Sequence, residues 1–194
     1  MILSNLEIHK ALDEGRLVIK PEPLPRKPTI GQDCPYDTHT VDLRLGNIIT
    51  VPKSGSYAYD YMSKGKVADL ISKNSEKITL TQSQPYHLKM GEFVLSQTLE
   101  TIELPTDKGP PYLAARIEGK SSWARCGLLV HLTAPTVHPQ WSGPLTLEII
   151  NLGKTPFLLH TGMPIAQLIV EEVKGDIEPN PSQFHGQSTP EGTT

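Results

Sequence analysis

Residues 116–153, RIEGKSSWARCGLLVHLTAPTVHPQWSGPLTLEIINLG, hold most of the groups in this chain that could do chemistry. Gly119-Lys120-Ser121-Ser122 supplies backbone N–H groups, an ammonium and two hydroxyls within four residues. That set can hold an anion such as a phosphate. Arg125 adds a permanently charged cation. The triplet Gly-Lys-Ser is not a phosphate-binding P-loop, because the first glycine of that pattern falls on Ala114. Alone, Lys-Ser-Ser reads equally as a solvated turn. Downstream, Pro144 to Asn151 has the period of a strand, with Leu145, Leu147 and Ile149 on one face and Thr146, Glu148 and Ile150 on the other. A carboxylate among aliphatic neighbours is costly unless it is paired or used. Glu148 could also face water from one side of an antiparallel strand.

The elements that must carry these groups are short. Eighteen Pro and 15 Gly, with 37% hydrophobic residues, punctuate the 194 residues into brief runs, which favours strands over long helices. The length suits one domain with a core of useful size. Ser4 with Glu7 forms a capping box, Leu6, Ile8, Ala11 and Leu12 a rough apolar stripe, and Gly15 a stop, so a short N-terminal helix is expected. Strands are expected at 17–19, 41–46, 76–80, 86–88, 91–98, 101–105, 112–117, 144–151, 155–159 and 165–170. Residues 21–37, with five prolines, read as extended loop. Val41, Leu43 and Leu45 point inward; Asp42 and Arg44 share the other face, where an ion pair between them would be a surface pair worth little. On 91–98 the apolar face is assigned to Phe93 and Leu95. Residues 53–77 read as a surface excursion, with Tyr57, Tyr59 and Tyr61 as packing or subunit contact. Regularly spaced short strands point to a mainly β sandwich or barrel of the jelly-roll kind. The sequence divides into a domain at 1–175 and a polar tail at 176–194, which lacks the apolar residues for a core and is expected to be mobile.

Several function classes are disfavoured. A net charge of −3 is not that of a general nucleic-acid binder. No apolar run reaches the ~20 residues of a membrane span. Polar residues follow Met1 to Leu3 at once, so no signal peptide is expected. Cys34 and Cys126 have neither metal-ligand spacing nor a disulfide framework, so a reducing cytoplasm is the default. The seven His form no zinc-ligand pair, and the H-x-E and P-C-x-x-C pattern of zinc deaminases is missing.

Taken together and in order, GKSSWAR, LLVHLTA, HPQWSG, LTLEIINLGK and TPFLLHTGMPIAQLIVEEV resemble the dCTP deaminase branch of the dUTPase-like superfamily. ALDEGRLVIKP and VDLRLGN match that family's opening. The resemblance spans nearly the whole chain and is weakest at 34–38, at 54–76 and in the tail. It implies a distorted jelly-roll of the dUTPase-like type and a homotrimer whose sites lie between subunits. The implied reaction is zinc-free hydrolysis of dCTP to dUTP and ammonia, with magnesium accompanying the triphosphate and dTTP as a possible inhibitor. Glu148 would shuttle protons, with Ser121 and Arg125 holding the attacking water and stabilising charge. Lys120, Ser121, Ser122 and Arg125 would meet phosphate. Val137, His138, Trp141, Thr146 and Gln187 would line the rest of the nucleotide site, Trp141 against the deoxyribose. Two departures are evident. His138 stands where the superfamily usually has an Asp that prepares water for attack on the phosphates. Gln183 and Phe184 replace a common Lys and Tyr. The alternatives are a dUTPase or bifunctional enzyme forming dUMP, and a non-catalytic nucleotide sensor on the same scaffold.

Overall fold

A computed structural model of the chain describes residues 1–55, 58–59, 67–178, 180 and 184–192. The chain opens with helix α1 (Asn5–Asp13), then strands β1 (Val18–Lys20), β2 (Thr40–Arg44) and β3 (Ile48–Pro52). Helix α2 (Val67–Lys73) precedes β4 (Ser75–Thr79), β5 (Tyr86–Leu88), β6 (Phe93–Glu103) and β7 (Tyr112–Gly119). The short helix α3 (Ser121–Ala124) leads into β8 (Leu128–Leu129) and β9 (Thr136–Val137). Strands β10 (Ser142–Asn151), β11 (Phe157–Leu159) and β12 (Pro164–Val173) follow.

All pairings are antiparallel. One sheet runs β4-β3-β6-β10-β8, with β1 also on β6; a second runs β2-β12-β7-β9; β5 and β11 form a small third. One apolar core draws on both large sheets: Val94, Ile102, Leu147 and Ile149 from the first, Leu43, Ile117, Leu168 and Val170 from the second. This is the mainly β, dUTPase-like sandwich expected from the sequence. Among the described residues no helix is long and apolar enough to cross a membrane.

Helix α1 starts as its sequence dictates. The Ser4 side chain accepts the Glu7 amide hydrogen bond at 3.4 Å, and Gly15 follows the last turn at φ 67°. Ile8 and Ala11 are fully buried, but Leu6 faces solvent, so the apolar stripe is narrower than expected. Leu43 and Leu45 are inward as expected, yet Asp42 and Arg44 do not pair with each other. Asp42 meets the Lys120 ammonium, while Arg44 Nε donates to Glu100 at 2.6 Å.

Glu100 is the physical reason why β6 is one strand and not two. Its carboxylate is fully buried, and it also accepts the Arg44 amide at 2.9 Å. The inward face of β6 is Val94, Ser96, Thr98, Glu100 and Ile102, not the face carrying Phe93. Its polar members are satisfied: the Ser96 hydroxyl donates to the Ile48 carbonyl at 2.8 Å, and the Thr98 hydroxyl to the Glu100 carbonyl at 2.7 Å. Between Pro144 and Thr146 the register with β6 slips from Thr101 to Gln97, and the Leu145 amide freed by this irregularity donates to Thr98 Oγ1 at 2.9 Å. Strand β3 and helix α2, to which the sequence reading assigns no element, complete this end of the sheet. Tyr59 is exposed, whereas Tyr57, Tyr61 and Gln183 lie outside the described residues.

Candidate active site

Strand β10 serves the core with one face and a cavity with the other. Leu145, Leu147 and Ile149 are buried, while Thr146 and Glu148 line a cavity of about 340 Å³. Leu95, opposite Glu148 on β6, lies beside them. Glu148 Oε2 accepts the Leu132 amide at 2.9 Å, which fixes the carboxylate's rotamer. Among the described residues its other oxygen has no hydrogen-bond partner. Next to Leu132, His131 Nε2 is 3.2 Å from Glu118 Oε2 on β7, tying this loop to the second sheet.

One wall is the segment from Ala134 to Trp141. Val137 is held in β9 by pairing with Ala115, and Pro135 accepts the Ile117 amide at 2.9 Å. His138-Pro139-Gln140-Trp141 is a tight turn: the Trp141 amide reaches the His138 carbonyl at 3.2 Å. Pro139 suits the second position, and Gln140 takes φ 70° at the third, a conformation usually left to glycine. Gln140 is held there by its amide, which donates to the Leu104 carbonyl at 2.8 Å. The turn presents Trp141 to the cavity, its indole N–H on the Gly143 carbonyl at 3.0 Å.

The opposite wall comes from the tail, which has too few apolar residues for a core but seats polar side chains in the body. Gln187 is 4% exposed; its amide donates to the Pro144 carbonyl at 2.9 Å and to Thr146 Oγ1 at 3.0 Å. Gly143, at φ 143°, makes room for it, since a side chain there would meet the Gln187 carbonyl at 3.0 Å. Phe184, Pro190 and Glu191 continue this wall.

Val137, His138, Trp141, Thr146, Glu148 and Gln187 thus share one cavity, as expected. The remaining expected residues do not join them. Lys120 and Ser122 line a second cavity of about 500 Å³, together with Asp42, Arg44 and Trp123. Lys120 is the N-cap residue of α3, where its ammonium, a donor only, cannot cap the helix amides and pairs with Asp42. Ser121, the first residue of α3, and Arg125, its C-cap, are exposed. Sequence reading missed the Leu132 amide, the 134–136 wall and Glu191. A backbone donor has no side-chain signature, and a single Glu in a polar tail looks like any solvated charge.

Residues 2–173 match the model of a family described as dCTP deaminase-like. The chain belongs to that family. Relatives within reach of the dCTP deaminase-like family include a protein named "dCTP deaminase, dUMP-forming" from Dictyoglomus thermophilum, 37% identical over 196 residues, or 98% of this chain and 92% of that one. A protein of the same name from Methanosphaera stadtmanae is 35% identical over 98% of this chain and 91% of its own. A "dCTP deaminase" from Marinomonas sp. is 37% identical over 92% and 87%. Among solved structures, a 2'-deoxycytidine 5'-triphosphate deaminase from Agrobacterium tumefaciens superposes with a TM-score of 0.62 over 87% of this chain at 19% identity, which attests the fold. This chain spans about half of that longer one, 48%.

Proposed function

We propose that the chain deaminates dCTP, adding water at the amino-bearing ring carbon and releasing ammonia and dUTP. The observation that carries this reading is Glu148: a carboxylate lining a half-open cavity, one oxygen fixed by the Leu132 amide and the other without a hydrogen-bond partner among the described residues. In that position it takes a proton from the attacking water and passes it to the ring nitrogen, then carries the proton of the added hydroxyl to the departing amino group. Water supplies the oxygen that stays on the ring, and the C–N bond breaks. Trp141 offers a flat apolar face for the sugar, and Gln187, with both amide hydrogens given to Pro144 and Thr146, keeps its carbonyl oxygen to accept from a polar ligand edge.

Ser121, Arg125, Lys120 and Ser122 complete the site from a neighbouring copy in a homotrimer. What supports this is the exposure of Ser121, Ser122 and Arg125 and the separation of all four from the Glu148 cavity within one chain. The segment offers hydroxyls and cations, and its nearby carboxylate, Asp42, is taken by Lys120. This donor set fits a magnesium ion held by phosphate oxygens and not by side chains. Such an ion would neutralise phosphate charge.

A second reading concerns the product. Relatives covering 98% of the chain are named dUMP-forming, which favours further hydrolysis to dUMP, although His138 occupies the turn where the superfamily usually has an Asp. Incubation with dCTP and magnesium, following ammonia, dUTP and dUMP separately, tests both. Ammonia with dUTP supports the first, ammonia with dUMP and pyrophosphate the second, and no ammonia overturns deamination.

A further inference from the structure

Glu191 is 2% exposed, its side chain wholly enclosed, in a segment otherwise made of Gly, Pro, Ser and Thr. A buried carboxylate is costly unless its lone pairs are filled. Here they are. The hydroxyl of Thr50, itself fully buried on β3, donates to one oxygen, and the Lys77 ammonium on β4 stands 3.2 Å from the other. Burial alone would raise its pKa. Hydrogen bonds from Thr50, Thr189 and the backbone, with Lys77, outweigh burial and hold the carboxyl below its ordinary value.

The placement of these contacts is informative. Toward β10 the tail is held by the Gly186 amide on the Ser142 carbonyl at 3.0 Å and by Gln187 on Pro144 and Thr146. Glu191 reaches β3 and β4, and β6 lies between β3 and β10 in the sheet. The segment 186–191 therefore crosses above β6, held on β10 by several hydrogen bonds, including one from the Thr146 hydroxyl to the Pro190 carbonyl at 3.2 Å, and on β3 and β4 by Glu191; Leu95 of β6 and Glu148 of β10 border the cavity beneath. The far end is also compact: Gly192, at φ 88°, packs so closely on Phe184 that a side chain there would lie 2.4 Å from its ring.

We infer that Glu191 is a positioning residue, whose carboxylate on Thr50 and Lys77 fastens the tail across the Glu148 cavity and so holds Gln187 at the nucleotide. The fastening stands on the contacts alone; its effect on turnover rests on the deaminase reading. The test uses the full-length protein. Amide exchange without nucleotide is compared for wild type, Glu191→Gln, Glu191→Ala and Thr50→Val. Amides of 185–192 should exchange at least ~10-fold faster in Glu191→Ala, the scale of one lost charge-assisted hydrogen bond, with Glu191→Gln in between. Amides of β6 and β10 should not change. With dCTP and magnesium, Glu191→Ala should raise KM more than it lowers kcat, and Glu191→Asp should recover part of the loss. Unchanged tail exchange in both Glu191→Ala and Thr50→Val overturns the fastening, whatever the activity. Faster tail exchange with unaltered KM and kcat overturns the positioning role. A wild type that does not deaminate dCTP overturns the proposed function and leaves the exchange result standing.

Discussion

Glu148 sits in a strand with neighbours on both edges, one oxygen already on an amide, under a roof supplied by its own tail. Ser121 and Arg125, by contrast, stand exposed at the two ends of a short helical turn, the first residue and the C-cap of α3, and their neighbour Lys120 is spent on Asp42. The base-and-sugar side of the proposed site is therefore preorganised within one chain. The phosphate-and-water side is presented outward. Chemistry that needs a fixed proton acceptor gains from the first arrangement. Recognition of a long flexible anion can be left to the second.

The most severe way to break this contrast is Glu148→Gln, which keeps the shape and the Leu132 contact while removing the base. Turnover of dCTP should fall by at least ~10²-fold with binding retained, checked by single-turnover ammonia release and by calorimetry. Near-normal turnover would sink the proton shuttle. Truncation after Val173 is next. Among the described residues no strand lies beyond that one, so melting of the body should change little. The cavity would lose Phe184, Gln187 and Glu191, and turnover should fall by roughly 10-fold or more as water enters. A truncated chain that works at full rate would make the roof irrelevant.

The outward side is tested by mixing. Arg125→Ala and Glu148→Gln should each be nearly inactive alone, and reassembled mixtures should recover a fraction of wild-type rate if the two sides come from different copies. No recovery, with subunit exchange shown independently, would place both in one chain. The smallest effect is one of pH. The folded pKa of Glu191 lies below 4.5, so its contribution to tail docking is complete above that value and is lost as pH falls through the depressed one. Tail amides, corrected for intrinsic rates, should lose protection as pH falls below about 4.5, and Glu191→Gln should flatten that dependence.

Legibility from sequence followed the same divide. Strand β10 could be read residue by residue, because a strict apolar alternation has one solution when one face is buried. Strand β6 could not. Its Thr98-Leu99-Glu100-Thr101 stretch reads as a break, and only Arg44, 56 residues earlier in sequence, makes an inward carboxylate tolerable. The Asp42 and Arg44 partners were equally hidden, since Lys120 and Glu100 are brought to them by the packing of separate segments. Ile48–Pro52 is too short and too uniformly apolar to show a period, and it becomes a strand through β4 and β6. The cavity residues were legible as a family pattern, whereas the tail's second attachment was not, because nothing in a polar segment marks which charge will be enclosed.

The two-faced character of β10 has a consequence for how this protein can change over generations. Substitutions at 145, 147 and 149 are filtered by abundance, since each removes core volume, typically about 2–5 kcal/mol for a large-to-alanine change. Those at 146 and 148 face the cavity and the segments that wall it, and are filtered mainly by what the molecule accepts as substrate. Along five consecutive positions the two selective pressures alternate, so a drifting lineage can explore new chemistry on one face without spending the stability stored in the other.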